Sequence, residues 1–336
     1  MWGLEEQPAG SNFQVCCIRN ASNFQPTEPA ANPNLNPVMN QSDVIEFRHI
    51  RNVPEVINVT FDFFRQNFRS LAKALFLFAF PPLAVAYVLF SYFFWGFIDS
   101  LARNVSDIEA VFLPMFLAFM CAGLLVAVGA TILIIVVHDF VRLYREKDGM
   151  ETIGLSEIGQ GIKANFWMLF GTLLGLGFAG SIISALMSLV PFGGLGMYAI
   201  VVFGAFYLPL RIYDRRGVLQ SFVVSADLVK GSWWRTFGLL ILFSLLNLVL
   251  VGVLALPVMV GAVVSSYVGV DLEMLKDASW LRIAGTILVS AYYTGLSLLY
   301  AIPLLSLIFH YFSQKERRGS PALLAEIEMI GSEESV

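Results

Sequence analysis

Six stretches of the chain, at 74–98, 111–137, 167–190, 196–211, 237–265 and 281–309, run on with almost no Asp, Glu, Lys or Arg. Roughly 20 predominantly apolar residues cross a bilayer as a helix. Hydrocarbon tolerates only helices and closed barrels, because each backbone N–H and C=O must be bonded without water. Runs of this length have the dimensions of helices, so the sequence predicts an all-α fold: a polytopic membrane helix bundle of six transmembrane helices. Composition agrees, since 57% of the 336 residues are hydrophobic and only 14% are charged, against about 25% charged in soluble domains. Only PFGGL (191–195) separates the third run from the fourth, a turn signal that predicts a tight hairpin.

The basic residues orient the bundle. Arg48, Arg51, Arg65, Arg69 and Lys73 precede the first run, and Arg142, Arg145, Lys147 and Lys163 separate the second from the third. Arg211, Arg215, Arg216, Lys230 and Arg235 separate the fourth from the fifth, and Lys315, Arg317 and Arg318 follow the sixth. The alternate loops hold only Arg103, Lys276 and Arg282 beside six carboxylates. The positive-inside rule then places both termini in the cytoplasm. Residues 1–42, with PTEPAANPNLNPVMNQS, are rich in Pro and Asn and predict a disordered cytoplasmic tail. No cleavable signal peptide is expected, and residues 1–38 are expected to be dispensable for insertion. A six-span membrane domain over 43–319 and a cytoplasmic amphipathic helix and tail over 320–336 complete the organisation.

A four-residue phrase recurs three times: RQNF (65–68), KANF (163–166) and KGSW (230–233), each at the entry to an odd-numbered run. The stretches leading in have apolar residues at helical spacing: Val53, Ile57, Phe61, Phe64 and Phe68; Leu155, Ile158, Ile162 and Phe166; Leu219, Phe222, Val223, Ala226 and Val229. These predict interfacial amphipathic helices with the apolar face down and the charged face up. Arg65, Phe68, Lys163, Phe166, Lys230, Trp233, Trp234 and Arg235 read as interface anchors, the cation at the headgroups and the ring just below. The small polar residue between them suits a bend into the span. The even runs leave through YREKDG (144–149), YDRRG (213–217) and YFSQKERRG (311–319), each with Gly as an expected helix cap. Three pseudo-repeated hairpins follow, at 43–149, 150–217 and 218–319. SPALLAEIEMIG (320–331) reads as the surface helix of a fourth unit without spans.

The segment RNVPEVINVTFDFFRQNFRSLAKALFLF (51–78) resembles the opening of a group of uncharacterised bacterial multi-pass proteins. These are similar to the membrane domain attached to some glycerophosphodiester phosphodiesterases. SADLVKGSWWRTFGLLIL (225–242) is similar to a phrase of the same group. The resemblance implies a six-helix bundle in the bacterial cytoplasmic membrane and implies no hydrolysis, since that activity belongs to a separate soluble barrel that this chain lacks.

Chemistry-bearing motifs are missing from the sequence: no phosphate-cradling Gly-rich loop with its Lys, no HExxH, no GxSxG and no paired Cys-x-x-Cys. The three cysteines, Cys16, Cys17 and Cys121, make no disulfide framework. His138 and His310 close the second and sixth runs at corresponding points. They read as polar span ends, with a shared metal or proton site as the sharper alternative. The runs carry no ionisable residue deep in the hydrocarbon, which counts against an ion-coupled carrier. Asn247 in the fifth run and Ser290, Tyr292, Tyr293, Thr294, Ser297 and Tyr300 in the sixth supply what polarity there is. They read as interhelical glue, with a polar pocket of Asn247, Tyr293, Thr294 and Ser297 as the alternative. Gly171, Gly175, Gly177 and Gly180 stripe the third run for close packing inside the bundle or, as the competing reading, between two copies. Pro257 and Pro303 are candidate hinges. The expectation is therefore no enzyme, no cofactor or metal and no nucleic acid. Membrane lipids and a protein in a membrane complex are the expected partners, and a homo-oligomer is the further option. The leading function is a scaffold or accessory subunit; the alternative is a carrier or channel for an uncharged or amphipathic small molecule or lipid.

Overall fold

The computed structural model describes residues 45–47, 49–102, 108–147, 149, 153–191, 193–268 and 279–333, so the expected 1–42 tail lies outside the described residues. The described chain is helical throughout, without strands: α1 (Val53–Ala74), one π-helical turn (Leu75–Ala79), α2 (Phe80–Ala102), α3 (Ile108–Glu146), α4 (Leu155–Met187), α5 (Gly193–Phe203), α6 (Tyr207–Tyr213), α7 (Val218–Lys230), α8 (Trp233–Val268), α9 (Ser279–Leu299) and α10 (Ala301–Glu333). Among the described residues, six helical segments are long and apolar enough to cross a membrane, as the six runs predict. Neighbouring spans touch in chain order: α2 on α3, α3 on α4, α4 on α5, α5 on α8 and α8 on α9, with α9 returning to α2.

The repeated phrase does not mean the same thing three times. α1 starts on a capping box, Asn52 N–H donating to Glu55 Oε2 at 3.0 Å, with Pro54 in the first turn. It then continues as helix through RQNF and the π-helical turn into α2. Asn67, expected at a bend, instead donates from Nδ2 to Phe63 O one turn back, 3.0 Å away. α4 likewise runs unbroken through KANF. Only KGSW breaks the helix, because Gly231 is the C-cap of α7 and the next helix starts from the Ser232 carbonyl, which accepts from Arg235 N–H at 3.0 Å. The expected separate surface helices ahead of the first and third spans are thus corrected to helical extensions of those spans.

The expected caps divide in the same way. Gly149, at φ +69°, caps α3 through a bond from its N–H to Tyr144 O. At the end of α6 the left-handed residue is Arg215 rather than Gly217, which instead caps the start of α7. Gly319 caps nothing, since α10 continues through it and Pro321 to Glu333, so the 320–331 stretch is no separate helix. The fourth span breaks between α5 and α6, a break the sequence reading missed. Pro209 has no N–H to give the Ala205 carbonyl, and at the break Ser225 of α7 bonds two other backbone groups. Its Oγ donates to Phe203 O at 2.7 Å and accepts from Phe206 N–H at 3.1 Å. Of the two expected hinges, Pro303 follows the interruption at Tyr300, whereas α8 passes Pro257 without one.

Packing is unequal. α2 and α3 approach so closely that a Cβ at Gly129 would overlap the Leu83 side chain. The glycines of α4 do the opposite: nothing lies within 4 Å of where a Cβ would stand on Gly171, Gly175, Gly177 or Gly180, so their expected role in packing inside the bundle is overturned. The main core gathers residues of α1, α3 and α10 around Phe47, Phe63, Phe140, Tyr144 and Phe309. Phe47 stacks on Phe309 at 5.3 Å and meets Tyr144 edge-on at 6.0 Å, and Phe63 meets Tyr144 edge-on at 4.9 Å.

Phe63 is fully buried, while Phe68 on the other face of α1 is half exposed. Phe63→Ala should cost about 3–5 kcal/mol and Phe68→Ala about 0.5 kcal/mol or less, compared as thermal midpoints of the detergent-solubilised chain.

Candidate functional site

Where α3, α6 and α10 meet at the end of the bundle that carries the basic residues, they bring polar side chains into the interior. Arg142 of α3 reaches back to Asp139, Nη1 to Oδ1 at 3.3 Å; the Asp139 carboxylate is buried and the Arg142 head is partly open to the outside. Gly161 of α4 lies so close below that carboxylate that a Cβ there would overlap it, with the Asn165 amide alongside. His138 does not pair with Asp139, its neighbour in sequence, because adjacent residues on a helix point apart. Its Nδ1 is 2.8 Å from Ile134 O, which can only accept, so Nδ1 carries the proton. Tyr213 of α6 donates to His138 O at 3.2 Å.

His310 of α10 has the other tautomer. Thr236 of α8 gives its proton to Ser232 O at 3.2 Å, so His310 Nε2–H donates to Thr236 Oγ1 at 3.1 Å. The His138 ring thus bonds within α3 and meets α6 only as a ring contact, 5.7 Å from Tyr213, whereas His310 bonds to α8, so the two do not share a hydrogen-bond partner. Among the described residues, no three His, Cys, Asp or Glu side chains gather as a metal would require.

Aromatic and charged groups close the layer. Tyr213 stacks on Tyr311 at 6.2 Å, and the Arg145 guanidinium lies 5.9 Å above the Tyr213 ring and 5.1 Å above Phe312. Asp214 is held between Lys315 Nζ at 2.7 Å and Arg216 Nε at 3.7 Å. Arg211 donates to Arg216 O at 2.6 Å and to Thr172 Oγ1 of α4 at 3.3 Å. The segment ahead of α1 joins the layer through Arg51. Its N–H donates to Ser313 Oγ at 2.8 Å, and Ser313 donates back to Arg51 O at 3.2 Å. Burial pulls the Arg51 guanidinium down from its ordinary range, opposed by Glu46 and Glu55.

The expected anchors lie mostly on the outside. Arg65 makes only a 3.9 Å pair with exposed Asp62; Lys163, Lys230, Trp234 and Arg235 are exposed, and Phe68 is half exposed against Phe64. Phe166 and Trp233 are half-buried, stacked on Phe170 and Phe237 at 5.4 and 4.9 Å. The apolar faces predicted for α1 and α7 are divided: Phe61, Phe68, Leu219, Phe222 and Val223 are exposed, whereas Val53, Ile57 and Phe64 are half-buried against the main core and Val229 is fully buried, beside Phe63 and Ser225.

The residues of the expected polar pocket separate. Ser297 Oγ lies 2.7 Å from Tyr87 Oη, Tyr293 stacks on Tyr87 at 5.6 Å, and Ser290 Oγ is 3.4 Å from Ser91 Oγ, all across the α2–α9 contact. Thr294 turns its hydroxyl to Ser290 O at 2.7 Å. Asn247 stands on α8, half-buried, and joins none of these bonds. The hydroxyls are glue, as the first reading had it, but to α2 rather than to Asn247. The signal for that partner was in the first span, where Tyr87 and Ser91 are spaced one helical turn apart.

Six apolar helices and this polar layer at one end define a multi-pass membrane protein. Beyond that class, no family model, no curated protein and no solved structure matches the chain.

Gly161→Ala should destabilise the protein by about 1–3 kcal/mol through overlap with Asp139. Asp139→Ala removes the overlapping atoms, so the Gly161→Ala penalty should largely vanish in that background. A double-mutant cycle read by thermal unfolding checks this.

Proposed function

We propose that the protein is a non-enzymatic scaffold or accessory subunit of a membrane complex, placed in a bacterial cytoplasmic membrane with both termini in the cytoplasm. The carrying observation is the contrast between the two halves of the bundle. Around α2 and α9 the hydroxyls of the sixth span are spent on helix–helix contacts. Around α4 the glycine stripe and Trp167, Phe178, Leu186 and Leu189 stand open. Small residues let a second helix come close, and van der Waals contact and interhelical bonds, rather than water exclusion, drive association in lipid. A packed half with an open, glycine-striped half suits a subunit that receives another protein's span.

The basic ends support the cytoplasmic orientation through the positive-inside rule. The exposed Leu219, Phe222 and Val223 of α7 support interfacial seating of that helix on lipid, and the ring-like order of neighbouring spans agrees with three pseudo-repeated hairpins. Resemblance to membrane domains that accompany a phosphodiesterase fits an accessory role.

A carrier for an uncharged or amphipathic molecule is the second reading. It is favoured by the sparse contacts of α5 and α8 with their neighbours, which leave ways in from the bilayer.

A photoreactive phenylalanine analogue at Phe178 in native membranes should give one discrete adduct with a second protein, absent when the analogue replaces buried Phe140. Adducts to lipid alone would contradict the scaffold reading.

A further inference from the structure

The π-helical turn at Leu75–Ala79 stands at the upper end of the first span, and its cause is in the sequence. Pro81 and Pro82 have no N–H for the carbonyls of Leu77 and Phe78, and their rings crowd the turn before them. The helix widens there, with Phe80 N–H donating to Leu75 O five residues back. A groove of about 690 Å3 opens along this turn, lined by Arg69, Lys73, Phe76, Leu77, Phe80 and Pro81, with Leu155 of α4 at its side.

The order of these residues along the helix is an order in depth. Arg69 and Lys73 are one turn apart at the basic end, directly before the first apolar run. Phe76, Leu77, Phe80 and Pro81 continue the same stripe into the span. Both cations are exposed, and among the described residues neither is matched by a carboxylate. That separates them from Lys147, Lys315, Arg142 and Arg318, which are paired with Glu157, Asp214, Asp139 and Asp227. The groove below is almost wholly apolar, and Phe76 and Leu77 are more than half exposed. Two free cations above an apolar channel match a ligand with an anionic head and a hydrocarbon tail.

We propose that this groove is a binding site for an anionic phospholipid of the adjoining leaflet, its phosphate on Arg69 and Lys73 and one acyl chain along Phe76, Leu77, Phe80 and Leu155. The widened helix makes the channel and the i, i+4 cations make the headgroup clamp. The site needs the chain to be in a bilayer but does not depend on the scaffold reading.

The test is native mass spectrometry of the full chain in detergent, titrated with dioleoyl phosphatidylglycerol and, separately, with dioleoyl phosphatidylcholine. Three variants accompany the wild type: R69Q/K73Q, which removes the clamp; L77W, which fills the groove from an exposed position; and K230Q/R235Q, which removes as much charge from another basic end. The wild type should retain phosphatidylglycerol in preference to phosphatidylcholine. R69Q/K73Q should bind it roughly thirtyfold more weakly, as expected for two basic residues facing an anionic headgroup. L77W should weaken it as well, and K230Q/R235Q should bind like the wild type. Equal retention of the two lipids, equal loss in both charge variants, or full retention by L77W would overturn the proposal.

Discussion

The fold depends on an aromatic knot at one end. Phe47 stacks on Phe309, meets Phe63 and Tyr144 edge-on and touches Phe312, so the lead-in segment, α1, α3 and α10 are joined by one residue and its neighbours. Within hydrocarbon there is no hydrophobic drive to bring spans together, because lipid tails are as apolar as leucine. At the bundle's basic end, outside the deepest apolar runs, such burial does act, at roughly 25 cal/mol per Å2. This is where the chain invests its large rings. The spans that put no ring into the knot, α4 and the Trp233–Leu250 stretch of α8, are also the least buried of the six.

The same end is where polar groups are tolerated inside. Asp139 is held by Arg142 and covered by Gly161, His138 bonds back along α3, His310 bonds across to α8, and Asp214 is held between two cations. Buried charge persists only when paired, and these pairs also fix which helix ends meet. The polar layer thereby gives the bundle a defined register that apolar packing alone leaves loose.

Much of the fold was legible in the sequence because bilayer thickness imposes a length scale on each apolar run, and the PFGGL turn and the Gly149 cap have local causes. The misread parts share another origin. RQNF, KANF and KGSW are one phrase by residue type, but only the third contains the glycine that stops a helix; an Asn in the other two bonds backward or sideways and lets the helix continue. The apolar spacing of α1 was real, yet its stripe lies at the edge of the contact, with Val53, Ile57 and Phe64 half-buried and Phe61 and Phe68 exposed, since Val56 and Phe63 form the face that packs on the bundle. Helical periodicity reports that a stripe exists and says nothing of which stripe meets protein and which meets lipid. The partner of the sixth span was hidden for a similar reason: Tyr87 and Ser91 are unremarkable among apolar residues until the helices are brought together. The break within the fourth span has a local signal in Pro209, but the residue that satisfies its backbone, Ser225, comes from another helix and is not announced by any local pattern.

If the knot gathers the basic ends on one side, positions far apart in the chain must report the same compartment. The direct measurement uses a background in which Cys16, Cys17 and Cys121 are serine, with single cysteines at Ser106, Lys163, Lys230 and Arg318, and a membrane-impermeant maleimide applied to intact cells. The structure and the charge pattern together predict that only the cysteine at Ser106 is labelled until the membrane is opened, after which the other three react alike. Labelling of any one of Lys163, Lys230 or Arg318 from outside, with the others protected, would contradict a bundle joined at a single cytoplasmic end.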